Sequence, residues 1–394
     1  MLILGGQENA LAIVRSLSAR GVRVSLSASQ TCWAMRSRYC AQRYVVPLRE
    51  SAADYWENLL LGNTDAALND SVLFACSDEA IEFMSARRDQ LARRYLLDDH
   101  LASQQVAMLD KRETIRLAAQ VGIPTPKQWS VHEVADVDAI EPSLDFPVLL
   151  RPIHSHKFQR VFRKKLLIVR DAGELRAKVA EVLAHGLEII VCELIPGPDD
   201  LLSSYYTYIA PNGQHLFHFT KRIIRRSPPN FGLGSYHATE WLPDTAEMGK
   251  RFFRGIGFRG LGNVEFKRDP RDGQLKLIEV NARFTAAQEL LVRAQMDIAW
   301  IVYLHVTGGV VPAANGFKEH LRLWYFLDDF DAYRDLRALG QLSFLSWVRS
   351  ISRPQVVPYF SFHDPKPALA KGWNTLQTRV LKRRFVGAAP FDIA

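Results

Sequence analysis

Two carboxylates, a carboxamide and a guanidinium stand at alternating positions on two short apolar runs, NVEFK (263–267) and KLIEVNARF (276–284). Side chains of a strand alternate faces with period two. Glu279, Asn281 and Arg283 therefore share one side of their strand, with Ile278, Val280 and Ala282 on the other. Glu265 has the same relation to Val264 and Phe266. The intervening DPRDGQ reads as a turn, and a loop over Pro270 to Gln274 sets Glu265 opposite Glu279. Like charges at directly opposed positions destabilise a ladder unless something neutralises them. Glu265, Glu279 and Asn281 form an all-oxygen set suited to a hard divalent cation, Mg²⁺ or alternatively Mn²⁺. The plainer alternative is a solvated hairpin on which Glu265 pairs with Lys267 or Lys276, and Arg283 with Glu279 or Glu289.

Elements that hold such a hairpin are legible on both sides of it. LILGG, VRVSLSA and VLFACSD alternate with the amphipathic runs ENALAIVRSLSARG and EAIEFMSARRDQLARR, a strand–helix pattern that predicts a parallel sheet covered by helices. Gly5 and Gly6 invite a dinucleotide reading, but the full Gly-x-Gly-x-x-Gly fingerprint is missing. A helix is expected from Asp110 to Val121, stopped by Gly122. FPVLLRP, KLLIV and EIIVCE read as strands around the helix AGELRAKVAEVLAHG, and YYTYIAPNGQHLFHFT as a hairpin. After Gly308–Gly309 the composition shifts toward Trp, Phe and Arg.

The 394 residues suffice for two or three cores. No apolar run approaches the ~20 residues that span a bilayer, and MLILGG is too short for a signal peptide. Cys32, Cys40, Cys76 and Cys192 have neither metal-type nor disulfide-type spacing, so reduced thiols and a cytoplasmic location are expected. The net charge of +8 gathers at His154–Lys165, Lys221–Arg226 and Arg349–Arg384. No zinc spacing or RNA-recognition aromatic motif accompanies it, so nucleic acid is not the expected partner.

A Glu on one strand followed by Glu-x-Asn-x-Arg on the next resembles the magnesium motif of the ATP-grasp superfamily. LDKRETIRLAAQVGIPTP resembles the helix that opens that fold, and implies phosphate contact by Lys111. FPVLLRP resembles a strand that usually ends Lys-Pro; here Arg151 stands for the lysine, a fork in place of a point charge. IVCELIPGPDD resembles the hinge between the two lobes, which implies adenine contacts near Glu193, Leu194 and Ile195 and ribose contacts by Asp199 or Asp200. The usual glycine-rich flap is replaced by HSHKFQRVFRKK, leaving Arg163, Lys164 or Lys165 to meet phosphate. The implied architecture is an α/β fold of the α+β grasp type. Residues 1–104 form a parallel α/β domain, 105–310 the two-lobed grasp domain with a small flap lobe at about 125–195, and 311–394 a basic C-terminal extension.

Within the superfamily the chain looks most similar to carboxylate–amine ligases of the D-aspartate ligase type. That resemblance implies ATP and Mg²⁺, a carboxylate and an amine as substrates, and an acyl phosphate released as ADP and phosphate. Arg283, with Arg222 or Arg225 from KRIIRR, would hold the acyl oxygens, and alternation puts Arg222 and Arg226 on one face, Lys221 and Arg225 on the other. A bicarbonate-activating carboxylase or carbamoyl-phosphate type of enzyme, and a non-catalytic nucleotide-binding scaffold, are the competing readings. A homodimer stays open. The stretch 349–384 holds eight Lys or Arg and one acid. It reads either as a face for an anionic membrane or polymer, peripheral to the inner membrane face, or as a helix packed on the core.

Overall fold

A computed structural model describes residues 1–385 except 63–64, 154–157, 159–160, 163–165 and 315, with backbone alone for 378–385. Most of the stretch expected to form the flap, including Arg163, Lys164 and Lys165, lies outside the described residues.

The first sheet is parallel and built from β1 (Leu2–Leu4), β2 (Ser25–Ser29), β3 (Gln42–Val46) and β4 (Leu73–Ala75), in the order β3-β2-β1-β4. The central strands β1 and β4 are fully buried, and Leu2, Ile3 and Leu4 are all inaccessible to solvent. At its C-terminal edge Gly5 adopts φ +72°, and a Cβ there would lie 2.2 Å from Ser77 Oγ. Only glycine fits. Ser77 in turn caps helix Asp78–Ala86 by accepting the Ala80 N–H. Strand β3 and helix Ala52–Leu61 were not legible as separate elements in the sequence, because QRYVV and ADYWENLLL are short and partly apolar all round.

The small lobe is a four-stranded antiparallel sheet, β5-β8-β6-β7, from β5 (Gln128–Val131), β6 (Val148–Pro152), β7 (Leu167–Val169) and β8 (Ile189–Glu193), backed by helix Ala172–Leu183. The large sheet has seven strands in the order β13-β12-β9-β10-β11-β14-β15. They are β9 (Leu202–Ile209), β10 (His215–Ser227), β11 (Leu233–Thr239), β12 (Gly260–Arg268), β13 (Leu275–Asn281), β14 (Arg322–Trp324) and β15 (Gln355–Val356). The two hairpins read from the sequence, β9–β10 and β12–β13, both form. The last two strands come from the C-terminal segment, so that segment extends the large sheet.

The faces of the large sheet carry different cores. Tyr205, Val264 and Phe266 pack with Phe252 and Phe253 of helix Pro243–Gly255 on one side. Tyr206, Phe219 and Leu261 pack on the other with helices Gln288–Arg293 and Ile298–Val306 and with helix Glu8–Ser18 of the first domain. The same hydrophobic core thus runs from the parallel sheet into the grasp sheet and holds the two in register across the site. Helix Lys111–Gln120 begins on Asp110, whose carboxylate accepts the Arg112 and Glu113 N–H groups, a cap worth about 1 kcal/mol. Its stop is Gly122 at φ +65°.

Candidate active site

Glu265 and Glu279 are direct partners on the β12–β13 ladder, with Asn263 opposite Asn281 two pairs further on in one direction. The step in the other direction is irregular: Phe266 pairs with Leu277, leaving Ile278 as an extra residue. Ile278 therefore departs from the simple alternation. It lines the cleft between the lobes beside Glu279, while Val280 and Ala282 are buried in the core beneath. The register continues across the sheet, since Glu265 faces Ser204 on β9 and Ser204 faces Lys221 on β10. Glu279, Glu265, Ser204 and Lys221 form one transverse row, closed by the Lys221 Nζ to Ser204 Oγ hydrogen bond of 3.1 Å.

The cleft, about 210 Å³, lies between the small lobe and this row. One part of its wall is apolar, from Pro126, Leu149, Leu166, Leu194, Leu202 and Ile278. The other part is cationic, from Lys111, Arg151, Arg226, Lys267 and Arg283, beside Asp78, Glu193 and Glu279. Burial, together with Arg151, lowers the Lys111 ammonium to about 8 despite Glu279 and Asp78 nearby. Lys221 and Lys267 are each lowered to about 8, burial being the main cause. Arg151 reaches from the small lobe to the Ile278 carbonyl at 3.4 Å, a link across the cleft.

Arg283 does not pair with Glu279 or Glu289. Its Nε donates to Asp78 Oδ1 at 2.6 Å, in the first turn of helix Asp78–Ala86. Burial works against the Arg283 charge, but Asp78, then Glu279, more than restore it. A second cavity of about 440 Å³ opens on the far side of this pair, at the C-terminal edge of the parallel sheet. Gly5, Gly6, Ser29, Glu79, Asp78 and Arg283 line it. Asp78 and Arg283 thus belong to both spaces.

The structure takes Arg222 and Arg225 out of the site. Strand β10 is irregular between Ile223 and Arg225 and again between Arg225 and Arg226, so its alternation resets within KRIIRR. Arg222 pairs with Glu240 at 2.8 and 2.9 Å. Arg225 is buried, fork to fork with Asp329 at 2.7 and 2.9 Å, against the Tyr236 ring. Lys221 and Arg226 are the residues that come to the Glu265 side: Arg226 lies 3.7 Å from Glu265, and Glu265 supports the Lys221 charge.

The hinge differs in a similar way. Glu193 is spent on structure: its N–H goes to the Lys127 carbonyl and its carboxylate accepts the Lys127 N–H and Arg271. Asp199 is buried and accepts the Arg226 and Asn230 N–H groups at 3.0 and 3.1 Å, which removes it from ribose contact. Asp200 stays exposed, with its carbonyl held by Arg222. Leu194 and Ile195 line the cleft. The residue missed at the hinge is Lys267, whose Nζ donates to the Ile195 and Gly197 carbonyls at 2.9 and 2.8 Å. Its signal was its place two residues after Glu265 on the same face. Asp78 gave no such signal, being 205 residues from its partner.

Among the described residues no three His, Cys, Asp or Glu side chains group as a metal site. The donor set present is two opposed carboxylates with Asn281. It fits a hard cation that completes its shell with water and phosphate oxygens.

A parallel α/β domain followed by a small antiparallel lobe and a large, mainly antiparallel sheet, closing on a basic cleft, defines a two-lobed grasp fold. In sequence and in fold the chain is similar to enzymes of the ATP-grasp superfamily. It is 27% identical over 224 residues to the D-aspartate ligase of Enterococcus faecium (strain Aus0004), covering 54% of this chain and 53% of that one. A D-alanine–D-alanine ligase of Saccharophagus degradans (strain 2-40) is 24% identical over 202 residues, 50% of this chain and 62% of that protein. The chain spans about half to three fifths of the length of these curated relatives. No family model matches. In fold it is similar to the biotin carboxylase domain of Hydrogenobacter thermophilus 2-oxoglutarate carboxylase, with TM-score 0.64, 15% identity and coverage of 82% and 73%. An L-amino acid ligase from Bacillus licheniformis superposes with TM-score 0.58 at 17% identity, covering 78% and 74%.

Proposed function

We propose that this chain is an ATP- and Mg²⁺-dependent ligase that joins a carboxylate to an amine through an acyl phosphate. The observation that carries the proposal is the Glu265–Glu279 pair beside a cleft with five cations on its wall. Two opposed carboxylates attract a divalent cation, and a wall richer in cations than in carboxylates attracts an anion. Magnesium and a triphosphate satisfy both at once. Support comes from the D-aspartate ligase and D-alanine–D-alanine ligase relatives.

In this reading Glu265, Glu279 and Asn281 hold Mg²⁺, which neutralises charge on the phosphoryl oxygens. Lys111 and Arg151 balance the phosphates, while Leu194, Ile195 and the apolar wall receive the adenine. A substrate carboxylate oxygen attacks the γ-phosphorus, the bond to ADP breaks, and an acyl phosphate forms. An amine nitrogen then attacks the acyl carbon, phosphate leaves, and the nitrogen gives up a proton. Phosphoryl transfer needs mainly positioning and charge stabilisation from the protein. Arg283 is fixed by Asp78 between the cleft and the second cavity, where its fork meets the acyl oxygens and the tetrahedral oxyanion. The second cavity is the space for the joining substrates. A cell-surface polymer or its precursor is the acceptor we favour, and a lipid-carried precursor would bring the chain to a membrane surface.

Incubation with ATP, Mg²⁺ and hydroxylamine across a panel of carboxylic acids tests the proposal. A hydroxamate with ADP identifies the reaction and the acyl donor. AMP in place of ADP would sink the acyl-phosphate route, and bicarbonate-dependent ADP release with no hydroxamate would favour the carboxylase class.

A further inference from the structure

The C-terminal segment is anchored on one side and bare on the other. Asp364, the one acid between 349 and 384, is buried and receives Arg15, the Ser37 hydroxyl and the Arg38 N–H. Lys371 turns inward as well, pairing with Glu8 at 2.9 Å over the rings of Trp33 and Tyr359. With these contacts the inner side of helix Lys366–Phe385 is fixed against the first domain. Its outer side then presents Leu369, Trp373 and Leu376, spaced four and three apart, at 70%, 61% and 54% exposure.

The stripe has company. Phe362, just before the helix, is 88% exposed and stacks edge-on against Phe360. Helix Phe344–Ile351 exposes Phe344, Leu345 and Val348, Leu345 at 78%. Arg349, Arg353 and Lys366 are exposed in the same segment of the chain, and the sequence of the last helix continues with Arg379, Lys382, Arg383 and Arg384. Large apolar side chains in water on three successive elements are unusual for a monomer surface. Together with these cations they have the composition of an interfacial anchor. Among the described residues no helix is long and apolar enough to cross a membrane.

We propose that this face, Phe344 to Leu376, docks the chain on the surface of an anionic phospholipid bilayer. Phe362, Leu369, Trp373 and Leu345 enter the headgroup–acyl boundary, and the cations sit at the phosphates. The charge complementarity selects lipid phosphate over a second copy of this chain, whose matching face would be equally cationic. Each Lys or Arg near an anionic leaflet contributes about fivefold in partitioning, and each large side chain removed from the boundary costs about tenfold.

The test uses the full chain and sedimentation with vesicles of phosphatidylcholine alone or mixed with phosphatidylglycerol. Binding to the mixed vesicles, lost in high salt and reduced at least tenfold in Phe362→Ser/Trp373→Ser, is the expected result. Arg349→Glu/Lys366→Glu should weaken binding to the mixed vesicles alone. All four positions are exposed, and unchanged thermal unfolding and ATP turnover in both double variants separate docking from folding and catalysis. No binding to either vesicle would overturn the proposal. So would equal binding by the variants, or a concentration-dependent dimer abolished by Phe362→Ser/Trp373→Ser with no vesicle binding.

Discussion

Arg283 Nε and Asp78 Oδ1 lie 2.6 Å apart, joining the end of β13 to a helix of the parallel domain. The pair locates the guanidinium fork between the interlobe cleft and the second cavity. Asp78→Asn keeps the shape and removes the charge. Hydrogen bonds to charged groups are worth about 1.5–3 kcal/mol, so hydroxamate formation should fall by ~10–100-fold. The loss should appear in kcat and in KM for the acyl donor, with KM for ATP little changed. Equal loss in Arg283→Lys would show that the fork, rather than its charge, is required.

Glu279→Gln relieves the direct repulsion with Glu265. That relief opposes the loss of its support for the Lys111 and Arg283 charges, so stability in Mg²⁺-free buffer should stay within about 1 kcal/mol of the parent. Its Mg²⁺-dependent ADP formation should fall by ~10²-fold or more, because metal stabilisation of phosphoryl charge is worth several kcal/mol. Thermal unfolding with and without Mg²⁺, paired with ADP release, reads both effects.

Lys111, Lys221 and Lys267 are each lowered to about 8 by burial. Phosphate oxygens beside Lys111, which lines the cleft, should raise it again, so ATP binding near pH 8 should take up protons. Calorimetry in buffers of different ionisation heat measures that uptake, and Lys111→Arg should reduce it. Affinity should decline as pH rises through about 8, where the ligand-free Lys111 ammonium deprotonates. For the ligand-free chain the sign reverses. Between about 8 and the ordinary lysine value of 10.5 the unfolded chain holds more protons, so these lysines add stability as pH rises.

Lys267 holds the hinge carbonyls of Ile195 and Gly197. Lys267→Met removes two charge-assisted hydrogen bonds from a segment that lines the cleft. KM for ATP should rise about tenfold, the effect of ~1.4 kcal/mol in positioning, while kcat changes less. A drop confined to kcat would move Lys267 from a positioning role to the chemistry.

Arg225 separates structure from catalysis. Its buried pair with Asp329 ties β10 to helix Phe326–Ala338. Breaking a buried pair costs about 3–5 kcal/mol, so Arg225→Met should lower the denaturation midpoint sharply. Turnover per folded molecule should stay near the parent level, as measured by ADP release against the folded fraction.

Local pattern sufficed wherever function depends on near neighbours. Period two within NVEFK and KLIEVNARF, and a short turn between them, placed Glu265 opposite Glu279 with Asn281 one step on. The same alternation misled where a strand breaks its own period. A bulge brings Ile278 to the cleft, and two irregular steps in KRIIRR exchange Arg222 and Arg225 for Lys221 and Arg226. A bulge depends on the partner strand, and nothing in the six residues announces it.

The sequence by itself determined the opposed carboxylates, the basic character of the site and the order of strands and helices around it, because these follow from side-chain type and backbone period. Only the tertiary structure decided which cations reach the cleft and which carboxylates are already engaged. Asp199, Glu193 and Arg225 look like ligand groups in the chain, yet each is satisfied by a distant partner. Asp78 looks like an ordinary first-turn acid, yet it fixes Arg283. Charge pairing acts through space over a few ångströms, and distance along the chain does not measure it.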